Sequence, residues 1–233
     1  MRKVLVVILL LLIGGVIVAD RMGVRRAEDE IAKQVAAQYR LDARPDVTIH
    51  GVPFLTQAIG GNYDQIDVKL GEWTEKGVTV HDAALKLSGV QAPLADVVNG
   101  NSSQITVRNA TASAVVPYSV VQKYAPQGVK GISASGSNLQ ARVSASYLGI
   151  RVEGDLVASL KATSQGIAVT PQSISNGGAK VPLAMLQQQY TFVIPTRSLL
   201  PMGARVSDIG VTPQGLRIAA TADNVRLENL AKS

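Results

Sequence analysis

The chain holds two histidines, His50 and His81, and no cysteine, so its inventory for nucleophilic, metal or redox chemistry is short. Without cysteine there is no disulfide, no thiolate nucleophile and no thiolate metal site. Each histidine stands alone near the end of a strand-like run, where a surface or hydrogen-bonded role is commoner than metal ligation. The segment Gly131–Gly136 reads GISASG and lacks the Gly-x-Ser-x-Gly spacing of a nucleophile elbow. Asp64, Asp67 and Glu72 are the densest acids beyond the first helix. On a strand Asp64 and Glu72 share a face and Asp67 takes the other, so the three do not converge as an acid/base pair. No P-loop and no dinucleotide fingerprint is present. We therefore assign no catalytic residue, no metal ligand and no cofactor, and the inventory favours a binding protein over an enzyme.

The elements that would position a binding site start with the N-terminus. Arg2 and Lys3 precede an uncharged run, Val4 to Ala19, which is short for a membrane span and suited to the apolar region of an export signal. Residues 1–19 are read as a signal peptide or a membrane anchor. Ile17-Val18-Ala19 is a poor small-x-small cleavage site, and Arg21, Arg25 and Arg26 follow it closely. Removing residues 1–19 takes Arg2 and Lys3 and no acid, lowering the formal charge from +6 to +4. The remaining charges are scattered, without the basic and aromatic clusters of nucleic-acid binding, so no nucleic-acid partner is assigned; a weak attraction to a membrane surface is consistent with them.

Residues 20–44 read as an amphipathic helix and its exit, with Ala27, Ile31, Val35 and Tyr39 recurring every four residues. Residues 45–233 form the third segment, a single domain, in which the period changes to two. Ile66, Val68 and Leu70 alternate with polar residues, as do Val143, Ala145 and Tyr147, then Ile150 and Val152, then Leu216 and Ile218. Strands of this kind bury one face and wet the other, as in antiparallel sheets. Glycines 77, 131, 149, 166, 210 and 215 read as turns between them. Pro53, Pro93, Pro117 and Pro182 each end such a run and open a short helix-like one, as a first-turn proline does (54–59, 94–98, 118–125 and 183–189). "VTPQ" occurs at 169–172 and again at 211–214, a faint internal echo. The fold class expected is α+β, with a long curved antiparallel sheet and short helices against one face.

Three stretches carry a family resemblance: "GVPFLTQAIGGNYDQIDVKL" (51–70), "GVTVHDAALKLSGVQAP" (77–93) and "GVTPQGLRIAATADNVRL" (210–227). Together they resemble actinobacterial cell-envelope proteins of the lipomannan elongation factor type (LmeA-like), with Pro53-Phe54-Leu55-Thr56-Gln57 and Tyr63…Ile66-Asp67-Val68 the most specific part. The resemblance implies a periplasmic or envelope phospholipid-binding protein, with phosphatidylinositol-type lipid the cargo class, supporting lipomannan mannan elongation. It also implies a sheet wrapped around helices as in tubular lipid-binding (TULIP-like) proteins, and envelope mannosyltransferase machinery as a partner.

Two acyl chains with roughly 30 methylenes resist water by on the order of 25 kcal/mol, so a carrier needs a long apolar channel. Phe54, Leu55, Trp73, Tyr118, Val121, Leu183, Leu186 and Phe192 sit on or beside the Pro-opened helices and are the candidate cavity residues. For each one, packing in an ordinary core is the commoner role. The alternative function is an envelope adaptor that supports a membrane glycosyltransferase by protein contact, with no lipid cargo. A lipid or glycan hydrolase is the third, disfavoured by the missing motifs.

Overall fold

One helix, α1 (Arg2–Tyr39), carries both the apolar N-terminal run and the amphipathic run without a break. The computed structural model describes residues 2–75, 77–93, 104–147, 150–175, 182–196, 200 and 203–226. After α1 come β1 (Asp46–His50), α2 (Phe54–Gly60), β2 (Asn62–Glu75), β3 (Val78–Gln91), β4 (Thr106–Pro117) and α3 (Tyr118–Val121), which runs into a 3-10 turn. Then follow β5 (Val129–Ser135), β6 (Asn138–Tyr147), β7 (Ile150–Thr163), β8 (Gly166–Ser175), α4 (Leu183–Tyr190), β9 (Phe192–Pro195), β10 (Arg205–Thr212) and β11 (Gly215–Arg226). The fold is α+β and dominated by antiparallel sheet, as the period-two runs require.

Hydrogen bonding orders the strands β1-β2-β3-β4-β11-β10 in one sheet and β5-β6-β7-β8-β9 in another. The chain divides into two compact units: residues 1–71, 84–110 and 223–233 in the first, and 72–83 and 111–222 in the second.

In the first unit α1 lies on β1 and α2. Val24 packs with Ile49 and Phe54, and Ala32 with Val47 and Val68. The expected Ala27, Ile31 and Val35 are half-buried beside them, while Tyr39 is exposed. Polar clamps reinforce the docking. Glu28 Oε1 accepts the Ile49 N–H at 2.8 Å, and the Arg44 guanidinium donates to the Asp29 carbonyl and carboxylate, each at 2.8 Å.

In the second unit Leu139, Ala141 and Val143 bury one face of β6. At one end that face meets Val121 of α3 and Leu216 of the β10–β11 hairpin; at the other it meets Leu186 and Tyr190 of α4. Short helices thus cover one face of the sheet. Arg142 and Ser144, on the other face, are exposed.

Several sequence expectations change. Pro53, Pro117 and Pro182 occupy the N-cap rather than the first helical position, because each has an extended ψ of 136–147° that a helical residue cannot take. The run at 94–98 lies outside the described residues. Gly131 sits inside β5, where its φ of +58° accommodates a register shift, and Gly210 pairs with Arg217 inside β10. Gly149 lies outside the described residues. The two "VTPQ" segments serve different ends. The first runs inside β8, with Pro171 buried at a bulge, and the second makes the β10–β11 turn.

Candidate functional site

The prolines that open the short helices bring no side-chain acceptor to the first turn, so other groups must satisfy it. At α2 the acceptor is Asp20 of α1, whose Oδ1 takes the Leu55 N–H at 2.8 Å. Asp20 is 3% exposed. At α3 the first residue, Tyr118, turns its ring toward the hairpin and donates its hydroxyl to the Thr212 carbonyl at 2.6 Å. Burial raises this hydroxyl above its ordinary value of 10.0, which keeps the donor protonated.

Beside Tyr118 a cleft of about 380 Å³ opens between α3 and β5, lined by Tyr118, Ser119, Gln122, Lys130, Gly131 and Ile132. Gln122 is fixed there by its amide Nε2, which donates to the Val129 carbonyl at 2.6 Å. That bond sets the amide's orientation, since a flip would place oxygen against oxygen. Its Oε1 is then buried without a partner. A buried acceptor without a partner costs about 1–3 kcal/mol. Lys130 is exposed at the rim and Ser119 adds a hydroxyl. The cleft thus presents one cation and one hydroxyl against an aromatic and an aliphatic wall, with the Gln122 carbonyl oxygen buried behind it. A rim lysine of this kind suits an anionic group.

The eight residues singled out from sequence take distinct places. Tyr118 lines the cleft, and Val121 lies buried in the core of α3 and the sheet. Phe54 is buried among Val24, Ile49 and Tyr63, its ring centroid 6.4 Å from that of Tyr63. Leu186 is 2% exposed beneath α4. Phe192 is half-buried against the core of the second unit, and Trp73 is half-buried on β2. Leu55 and Leu183 are exposed. Ser119, Gln122 and Lys130 were not singled out. Gln122 follows Tyr118 by four residues, one helical turn on the same face, which is the signal that marks it.

The histidines make cross-strand pairs on the surface. His50 Nε2 lies 2.9 Å from Asp67, and His81 Nδ1 lies 3.0 Å from Glu72. Exposed pairs of this kind contribute about 0–1 kcal/mol. Among the described residues no group of three or more His, Asp or Glu side chains is placed to hold a metal ion.

No curated protein and no solved structure matches the chain. A family profile described as LmeA-like phospholipid-binding does, over residues 18–221. Both compact units and the Tyr118–Lys130 cleft fall largely within that match. The chain belongs to the LmeA-like phospholipid-binding family.

Proposed function

We propose that this protein is an exported, envelope-localised phospholipid-binding protein whose preferred lipids are of the phosphatidylinositol type, and that it supports mannan elongation on lipomannan without catalysing it. The family match carries the phospholipid. The chemistry of the cleft supports the finer choice: the exposed Ser119 hydroxyl would meet a polyol hydroxyl, and Lys130 at the rim would pair with the headgroup phosphate. Leu183 and Phe192, which keep exposed or half-exposed apolar surface, are where acyl chains would lie against the second unit. Val121 and Leu186 are buried in the second unit and Phe54 in the first.

The apolar run of α1 supports retention at the membrane. Leu9 to Ile13 and Val16 to Val18 are exposed on every side of the helix. A helix apolar all round calls for a nonpolar surrounding. Among the described residues no helix is long and apolar enough to cross a membrane. The run Val4–Ala19 spans about 24 Å as helix, against a hydrocarbon core of ~30 Å. On our reading it is held in the bilayer with help from its flanks.

Competition between short-chain phosphatidylinositol and short-chain phosphatidylcholine or phosphatidylglycerol tests the headgroup choice. Preference for the inositol lipid that weakens in Ser119→Ala is expected; equal affinity for all three contradicts it.

A further inference from the structure

We infer that α2 is a membrane-contact element, whose exposed apolar face enters the headgroup region of an anionic phospholipid bilayer at the point where α1 leaves it. The inference rests on the reading that the apolar run of α1 is held in the bilayer.

Leu55 and Ile59 lie one helical turn apart on the same side of α2, and Val52 precedes them; they are 36%, 79% and 71% exposed. Their neighbours Phe54 and Ala58 pack into the core beside α1 and β1, while Leu55 straddles the edge, one methyl near Gly23 of α1 and the rest of its side chain exposed. The bond from Leu55 to Asp20 sets the height of this face along α1, because Asp20 is the residue directly after the apolar run. Gly23 faces α2 one turn on from Asp20, close to both Phe54 and Leu55. A Cβ there would meet the Phe54 ring at 3.4 Å and the Leu55 side chain at 3.5 Å. The first turn of α2 is therefore level with the end of the apolar run, with no linker between them.

Two further observations choose lipid as the occupant. The run is about 6 Å short of a hydrocarbon core, and apolar side chains at its exit offset such a mismatch. Arg21, Arg25 and Arg26 are exposed at the same level and, at 100° per residue, lie on the sides of α1 turned away from α2. Arginines there complement anionic headgroups.

The chain lacks cysteine, so single labels are unambiguous. The full-length protein carrying Ile59→Cys, and separately Val52→Cys, is labelled with an environment-sensitive fluorophore and reconstituted into phosphatidylcholine vesicles containing phosphatidylglycerol. Lys33→Cys, about 20 Å further along α1, is the control. We expect the protein to float with the vesicles. Labels at 59 and 52 should shift to the blue, be quenched by nitroxides near the headgroups, and be severalfold less accessible to aqueous iodide than the label at 33. Flotation with labels at 59 and 52 as accessible as that at 33 overturns the inference and leaves the membrane anchor standing. Protein that fails to float overturns both. Shielding that needs cell extract in addition to lipid assigns the face to a protein partner and also overturns the inference.

Discussion

Asp20, the first residue after the apolar run, accepts the backbone N–H of Leu55 at 2.8 Å and so caps a helix that begins more than thirty residues later. The bond makes the second half of α1 part of the first unit's structure. Asp20→Ala leaves the Leu55 donor without a partner and should cost about 1–2 kcal/mol, whereas Asp20→Asn, which keeps an acceptor, should cost less. Urea denaturation of both variants separates them; equal stability of Ala, Asn and the parent would show that the cap contributes nothing.

The same contact decides where the chain tolerates shortening. A chain beginning at Asp20 keeps Asp20 and Val24, and one beginning at Ala27 loses both. The shorter chain should be less stable by about 2–4 kcal/mol. Coincident unfolding midpoints would place residues 20–26 outside the fold's stability.

Neighbours on the short helices should behave oppositely. Phe54→Ala opens a cavity among Val24, Ile49 and Tyr63 and should cost about 3–5 kcal/mol, and Leu186→Ala about 2–5. Leu55→Ala and Leu183→Ala, on exposed side chains, should cost under about 1 kcal/mol. A folded, lipid-free Leu186→Asp protein would instead make Leu186 a cavity residue.

Alkaline pH should destabilise the protein. Burial raises the hydroxyls of Tyr63, Tyr118 and Tyr190 above their ordinary value of 10.0. The unfolded chain therefore loses these protons first, and the folded state is favoured less as pH rises. This contribution is whole below pH 10 and disappears as pH passes through the folded values. Melting temperatures should fall as pH rises above 10, less steeply in Tyr118→Phe. A flat profile would contradict it.

Much of the architecture was legible because period-two and period-four runs report directly on which face is buried. Leu216 and Val143 follow from that alternation, and Tyr118 follows from Pro117. The continuity of α1 was hidden because its apolar run has no polar face and so no periodicity to join to the amphipathic run. Asp20 read as a helix start, since nothing local reveals an acceptor role toward Leu55. Lys130 was missed for a related reason: only the return of the chain through β5 sets it beside Gln122. The repeated "VTPQ" carries no common structure because its two copies serve a bulged strand and a turn, a choice made by the strand partners Ala158, Leu160 and Gly215.

The central claim is that this chain holds a phospholipid, and native mass spectrometry of residues 20–233, purified without detergent from an actinobacterial host and followed by solvent extraction, tests it most directly. The account predicts one phospholipid per chain, rich in phosphatidylinositol-type headgroups, with occupancy reduced in Lys130→Glu by roughly tenfold in affinity. Folded, monomeric protein that carries no lipid, and takes up none from phosphatidylinositol vesicles, would contradict it and favour an adaptor that acts by protein contact.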